Sequence, residues 1–91
     1  MEFEFDDNKS KVNQKKHGID FVAAQVLWED ANLIEFPVQI TGEERFLVVG
    51  KISEKYWTGC ITYRAGRIRI ISVRPSRKEE TQDYENEKNI S

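Results

Sequence analysis

The sequence has a single cysteine and no hydrophobic run long enough to cross a membrane. One cysteine excludes an internal disulfide, and Cys60 alone cannot make a zinc site. The longest apolar stretches fall well short of the roughly 20 residues that span a bilayer. The N-terminus, Met1–Asp6, is acidic where a signal peptide would be basic. We therefore expect a cytoplasmic protein with no membrane contact, in which Cys60 is a small buried apolar residue. No cofactor is expected.

The chain is long enough for one hydrophobic core and too short for two, because it has 91 residues. Hydrophobic residues make up 38% of it and charged residues 33%. The apolar residues are grouped in Phe21–Trp28, Phe46–Ile52 and Ile68–Val73, which is typical of a folded chain. We expect one domain over residues 1–85 and a polar C-terminal tail over residues 86–91, which has little to bury.

The sequence also lacks an excess of positive charge, since its formal net charge is −2. Its basic residues are nevertheless concentrated. Residues 9–17 contain four lysines, and residues 61–78 contain five arginines and one lysine, with no acid in either window. The folded surface could therefore carry a positive patch on an acidic body, as a nucleic-acid-binding protein would. Scattered solvent-facing charges would have the same composition.

Two helices are predicted near the N-terminus. Asp6 or Asp7 caps the first, which runs to about His17 and stops at Gly18, a residue that tolerates the left-handed conformation of a helix end. The second begins at Asp20. Its apolar residues recur at the three- and four-residue spacing of one buried stripe: Phe21, Ala24, Leu27 and Trp28.

The rest of the chain is rich in strand signals. Alternating side chains predict a short strand at Phe3–Phe5 and a three-stranded antiparallel meander over residues 45–74. An extended segment, Leu33–Phe36, ends at Pro37, which belongs at a strand end or sheet edge because proline cannot donate to a ladder. The predicted turns lie between these segments.

A capping box closes the strand region. Ser76 and Glu79 have the spacing at which a hydroxyl and a carboxylate satisfy each other's amides, which predicts a C-terminal helix over about residues 77–85. The predicted fold class is therefore α+β. It consists of an antiparallel sheet of three to four strands, packed with two N-terminal helices and one C-terminal helix.

One face of the first helix is almost entirely polar. At three- and four-residue spacing it carries Lys9, Val12, Asn13, Lys16 and His17. Only one of these is apolar, so the face is expected to meet a phosphate backbone or the arginines of the sheet. The histidine could perform acid–base chemistry near neutral pH, or it could simply complement the helix C-terminus.

Two blocks of sequence resemble the BrnT-like ribonuclease toxins of bacterial toxin–antitoxin pairs. The first runs from Phe5-Asp-Asp-Asn-Lys9 through Asn13 to Lys16-His-Gly-Ile19, with Phe21 after it. The second is Ile70-Ile-Ser-Val-Arg-Pro-Ser-Arg-Lys-Glu79, followed by Tyr84-Glu85. Between them, Glu44-Arg45 opens a central hydrophobic strand, as in that family. The resemblance covers about residues 3–85, with Pro75 where the family often has a small residue.

The resemblance implies a compact RelE-like fold and a metal-independent endoribonuclease that cleaves RNA to inhibit translation and growth. It also implies a BrnA-like antitoxin, a DNA-binding protein that masks the toxin in a heterotetramer. The complex would contact operator DNA only through the antitoxin. Many ribonuclease toxins are basic, whereas this chain is mildly acidic. A weak or degenerate toxin is therefore an open alternative.

Metal-free RNA cleavage needs a base for the 2′-hydroxyl, positive charge at the phosphate and an acid for the leaving 5′-oxygen. Arginine suits the phosphate, which makes Arg64, Arg74 and Arg77 candidates, the last two beside the amides of the C-terminal helix. Strict strand alternation predicts that Arg74 shares a face with Ile68, Ile70 and Ser72, opposite Arg67 and Arg69. Arg74 is therefore preferred, because it lies at the strand–helix junction.

The acid and base are less clearly marked. Either His17 or Glu44 could be the base, with Lys16 or Tyr63 supplying charge or a proton. The full set of predicted catalytic residues is His17, Glu44, Arg64, Arg74 and Lys16, and the predicted RNA-binding residues are Lys9, Asn13, Arg45, Tyr63, Arg77 and Tyr84. Two other functions remain open at this stage: a non-catalytic nucleic-acid-binding module, and a module that only seats the antitoxin.

Overall fold

The computed structural model describes residues 1–90 of the chain, and Ser91 lies outside the described residues. These residues form one five-stranded sheet with helical segments packed against it. In chain order the elements are β1 (Phe3–Glu4), α1 (Asp7–His17), a 3-10 helix (Ala23–Glu29), β2 (Ile34–Ile40), β3 (Glu43–Ile52), β4 (Lys55–Arg64), β5 (Arg67–Pro75) and α2 (Lys78–Ile90).

The sheet is mixed and has the strand order β1-β5-β4-β3-β2. Strands β2 to β5 form an antiparallel meander, and β1 lies parallel to β5, with Phe3 opposite Ile68. The prediction of an antiparallel sheet of three to four strands is therefore wrong. Alternation in a two-residue strand does not reveal its partner or its direction. Strand β2 also continues through Pro37, because at the sheet edge a missing N–H need not cost a ladder bond.

The fold prediction is also wrong about the N-terminal helices, since only the first is an α-helix. The second is the 3-10 helix, and Phe21, Ala24 and Leu27 beside and within it are fully buried. Ala24 and Leu27 have the three-residue spacing of one turn of a 3-10 helix, so the tighter winding aims both at the core, and Phe21 joins them from the turn before the helix. The apolar spacing in the sequence is compatible with an α-helix and with a 3-10 helix, and the chain adopts the 3-10 form.

The hydrophobic core lies between the 3-10 helix with its preceding loop and one face of the sheet. Its helix-side members include Ile19 and Leu27, and the sheet side includes Val48 and Ile61. Phe3 and Phe5 pack against the same core, and Phe3 meets the ring of Trp28 edge to face, 4.9 Å between centroids. We call this the core face of the sheet and the other the α2 face, because α2 packs there.

A β-bulge in β5 reverses which residues face the core. Cys60 pairs with Ser72 and Ile61 pairs with Ile70, so Ile71 has no partner on β4. Val73 is consequently buried with Ile70 on the core face, and Arg74 lies on the α2 face. The prediction that Arg74 shares a face with Ile68 and Ile70 is wrong, because strict alternation ignores the extra residue.

Helix α1 is held to the fold by buried polar side chains rather than apolar ones. Its caps are as predicted: the Asp6 carboxylate accepts from the Lys9 N–H at 3.0 Å, and Gly18 is left-handed. The Ser10 hydroxyl accepts from the Phe21 N–H at 2.9 Å. Asn13 donates to the carbonyls of Ile19 and Val73, both at 2.8 Å, and accepts from the Val73 N–H at 3.1 Å. The Asn13 amide thus pairs with the open edge of β5 as a strand would.

Helix α2 lies on the α2 face and begins at Lys78. Glu80, not Glu79, reaches back to an amide, the Arg77 N–H at 2.8 Å, while the Ser76 hydroxyl bonds Thr58 instead, at 2.7 Å. The predicted Ser76–Glu79 box is therefore wrong by one residue. The helix also continues to Ile90, past its predicted end, and the division into a domain over residues 1–85 and a tail over 86–91 stays a prediction.

Replacing Asn13 tests whether its amide is what holds α1 to the sheet. Asn13→Ala leaves the Val73 N–H and two carbonyls without partners, and we expect the free energy of unfolding to fall by about 2 kcal/mol. Gln14→Ala, at the adjacent exposed position, is the matched control and should change it by less than about 0.5 kcal/mol. Urea unfolding measures both, and equal losses would contradict the anchoring role.

Candidate functional site

An open cleft of about 320 Å³ lies between α1 and the edge of β5. Its lining contains two lysines and the only histidine of the chain, and none of its side chains is a carboxylate. The cleft is therefore a cationic site on a chain whose formal net charge is −2. The lining residues are Asn8, Lys9, Val12, Asn13, Lys16, His17, Ile71 and Ser72.

Two local features of the sequence build this cleft. The helical spacing of α1 turns the predicted polar face, from Lys9 to His17, toward β5. Strand β1 pairs with β5 only at Ile68 and Arg69, so the edge of β5 is open farther along, where the bulge lies. Ile71 and Ser72 therefore form the opposite wall. The polar face of α1 thus meets the edge of β5 at these two residues, and the expected meeting with the arginines of the sheet is not found in the cleft lining.

The arginines contribute little free positive charge. Every arginine except Arg77 lies within 4.0 Å of a carboxylate in the described part of the chain: Arg45 with Glu43, Arg64 and Arg69 with Glu4, Arg67 with Glu2, and Arg74 with Glu80. The lysines of α1 make no such pair among residues 1–90. An anion approaching the surface therefore meets unneutralised charge at α1 rather than along the sheet.

Arg74 is held in a buried polar network. Its two terminal nitrogens donate to the two oxygens of Glu80, each at 2.8 Å, and Glu80 also accepts from the Thr58 hydroxyl at 3.0 Å. The bonds from Arg74 lower the pKa of Glu80 to about 2, against the opposing effect of burial. Because Glu80 also occupies the Arg77 N–H, the first turn of α2 does not offer that amide to a phosphate. Arg74 does not line the cleft.

Cys60 lies on the α2 face between two arginines. Burial raises the pKa of its thiol, and the positive charges of Arg45 and Arg74 oppose that rise. The net effect keeps the thiol protonated, which does not suit a nucleophile. Cys60 is half-buried rather than buried as the sequence predicted, because the strand turns its side chain to the α2 face and not to the core face.

Four other predicted site residues lie away from the cleft lining. Glu44 is exposed near the start of β3, and Arg64 is exposed at the end of β4. Tyr63 lies edge to face with Phe46 and donates its hydroxyl to Glu35. Burial and that hydrogen bond raise the pKa of Tyr63 to about 12. The structure therefore does not bring Glu44, Arg64, Arg45 or Tyr63 to the cleft.

The two predicted residues of the C-terminal region have opposite environments. Tyr84 is buried against Tyr56 and donates its hydroxyl to Asp30 at 2.9 Å; burial and this bond raise its pKa to about 12. Asp30 is the residue at the end of the 3-10 helix, so its hydrogen bond with Tyr84 ties α2 to that end. The Asp30 carboxylate also accepts from the Lys51 N–H. The side chain of Arg77 is exposed. Tyr84 thus has a packing position, whereas Arg77 can reach a ligand.

Sequence reasoning missed the β5 wall and the Glu80 network. Ile71 and Ser72 belong to the second of the two sequence blocks described above, Ile70–Glu79, but no sequence signal marks the bulge that exposes them. Glu80 has a weak signal, because it is three residues after Arg77, the spacing of a capping carboxylate. Asn13 was recognised as part of the polar face, and the structure shows that its amide is committed to the protein.

Comparison with known proteins identifies the family. The model of the BrnT ribonuclease toxins of type II toxin–antitoxin systems matches residues 5–80, which include α1, the whole meander and the start of α2. The chain belongs to the BrnT family. It is thus a ribonuclease toxin of a type II toxin–antitoxin system, with RNA as its target and an antitoxin as its partner. No curated protein matches the sequence.

Residues 1–90 contain neither a metal-binding cluster nor a membrane-spanning helix. In that part of the chain, no group of three or more histidine, cysteine, aspartate or glutamate side chains is placed to hold a metal ion. None of its helices has both the length and the apolar character needed to cross a membrane.

The Glu80 network makes stability depend on pH in the acid range. Because the folded pKa of Glu80 is about 2 and its ordinary value is 4.5, its contribution is complete above about pH 5 and is lost as the pH falls toward 2. Glu80→Gln should therefore cost roughly 3 kcal/mol of unfolding free energy near neutral pH and progressively less below about pH 4.

Urea unfolding across this pH range is the measurement, and Glu79→Gln is the control. Glu79 is the exposed neighbour of Glu80 in the same helical turn, so its neutralisation should leave the pH profile of the wild type unchanged. A cost at Glu80→Gln that stayed constant down to about pH 3 would show that the ion pair with Arg74 is not its source.

Proposed function

We propose that this BrnT toxin is a metal-independent endoribonuclease and that the cleft between α1 and β5 binds and cleaves the RNA. The observation that carries the proposal is the clustering of Lys9, Lys16 and His17 in one cleft without a carboxylate. An RNA phosphodiester can approach the two lysines of this cleft without displacing a carboxylate from them. Such a site provides positive charge and an imidazole that can accept and donate a proton, as RNA cleavage requires.

The residues take distinct roles in the proposed reaction. The imidazole of His17 accepts the proton of the RNA 2′-hydroxyl, whose oxygen attacks the adjacent phosphorus. Lys9 and Lys16 stabilise the additional negative charge on the phosphate, and the Lys16 ammonium returns a proton to the leaving 5′-oxygen. The products are a 2′,3′-cyclic phosphate and a free 5′-hydroxyl. None of these steps needs a metal, since the protein itself supplies charge and proton transfer.

His17 is a better-placed base than Glu44, the other predicted candidate. His17 is half-buried in the last turn of α1 and shares the cleft with both lysines. Glu44 is exposed and has no lysine of the cleft beside it. We further propose that the exposed Arg77 binds the phosphate backbone outside the cleft. Arg74 then orders the β5–α2 junction through Glu80.

The partner in this proposal is a BrnA-like antitoxin, a DNA-binding protein that covers the cleft in a heterotetramer and carries the complex to operator DNA. A cationic cleft favours acidic side chains on such a partner, and those side chains would compete directly with RNA. The toxin acts in the cytoplasm, where its RNA substrates are.

Cleavage assays with single variants test the proposal. Purified protein is incubated with end-labelled single-stranded RNA in excess chelator, and we expect fragments that end in 2′,3′-cyclic phosphate. His17→Ala should slow cleavage by about 100-fold or more while RNA affinity is retained. Lys9→Ala and Lys16→Ala should weaken binding and each lower the slope of log affinity against log salt by about 1.

Lys15→Ala is the matched control, because Lys15 is an exposed lysine of the same helix that lines a different cleft. It should leave the cleavage rate close to that of the wild type. RNA that stayed intact at high protein concentration in chelator but was cleaved with a divalent cation would reject metal independence. Intact RNA under both conditions, with retained binding, would favour a non-catalytic RNA- or antitoxin-binding module.

A further inference from the structure

Val12 is an apolar residue in an unexpected place. It is the only hydrophobic residue of α1, yet 62% of its surface is exposed. It lines the cationic cleft, across from Ile71 of the β5 bulge. A surface valine adds nothing to the core, and the helix is anchored by Ser10 and Asn13 without it. What distinguishes Val12 from an ordinary surface valine is its place in the cationic cleft together with Ile71, where a ligand would contact both side chains.

We propose that Val12 and Ile71 form a binding subsite for one nucleobase of single-stranded RNA, beside the phosphate held by Lys9 and Lys16. The proposal rests on the proposed function of the cleft and names the part of the substrate that its apolar walls contact. Removal of exposed valine and isoleucine surface from water is favourable when a flat base covers it.

The arrangement of charge favours a nucleotide over other ligands. Lys9 is three residues before Val12 and Lys16 four residues after it, so both ammonium groups flank the valine on one helix face. A ligand that carries an anionic group and an apolar group a short distance apart fits this arrangement, and a nucleotide, with its phosphate and base joined through the sugar, is such a ligand. In a duplex the base faces are stacked and covered, so only an unpaired strand can offer one.

A base-specific binding measurement tests this subsite. The probes are a fluorescent single-stranded 2′-deoxyoligonucleotide, which cannot form the cyclic phosphate, and the same strand with its bases removed. We expect Val12→Ser to weaken binding of the base-containing strand by about fivefold and to leave binding of the abasic strand unchanged. The lysines still meet the same phosphates in both strands.

Val22→Ser is a closely matched control. Val22 is also 62% exposed and lines a cleft on the other side of α1, so this substitution has the same chemistry at the same exposure. It should change binding of neither strand. Thermal melting of both variants should match the wild type, because neither side chain is part of the core.

Three results with the variants would overturn the subsite: equal weakening for the base-containing and abasic strands, no weakening at Val12→Ser, or equal weakening at Val22→Ser. Wild-type affinity for a duplex equal to that for the single strand would also overturn it. Failure of catalysis is distinguishable. If the wild type binds but does not cleave RNA, a selective loss at Val12→Ser still supports the base contact while the proposed reaction is rejected.

Discussion

The pairing of the Asn13 amide with the backbone of Val73 is the interaction on which the candidate site depends. Strand β1 covers only the beginning of β5, and the rest of that edge would otherwise expose unpaired backbone groups. A helix cannot continue a β-ladder, but one carboxamide has the donor and acceptor of one strand residue. Because the Asn13 amide pairs as a strand residue would, α1 lies against the edge of β5. The residues one helical turn to either side of Asn13 then line the cleft.

Charge neutralisation within the fold explains how an acidic protein can present a site for an anion. The arginines of the sheet lie beside carboxylates of β1, β3 and α2, so most of their charge is balanced locally. The lining of the candidate cleft joins Lys9 and Lys16 with no carboxylate, whereas Lys11 and Lys15 share a different cleft with Asp7 and Asp20. The net charge therefore says little about the local surface of this protein, because the balance of each cation with its neighbouring carboxylates decides where positive charge remains.

Sequence predicted the parts of this molecule that depend on neighbours along the chain. The caps at Asp6 and Gly18 and the shared face of Lys9 and His17 follow from helical geometry, and the structure has them. The bulge at Ile71 and the parallel direction of β1 depend on contacts between distant segments, for which a single sequence has no pattern. The side of the cleft formed by α1 could be predicted from helical spacing. The side formed by β5 could not, because it depends on the register shift at the bulge.

The polar anchoring of α1 also explains why the cleft can exist at all. An amphipathic helix buries a wide apolar stripe, and the side chains bordering that stripe are partly covered by the packing. Helix α1 buries only Ser10 and Asn13, so directed hydrogen bonds at two positions replace the stripe. The remaining positions, including a valine and both cleft lysines, stay accessible. Reliance on two positions also makes the site fragile, because only the Ser10 anchor remains once Asn13 is lost.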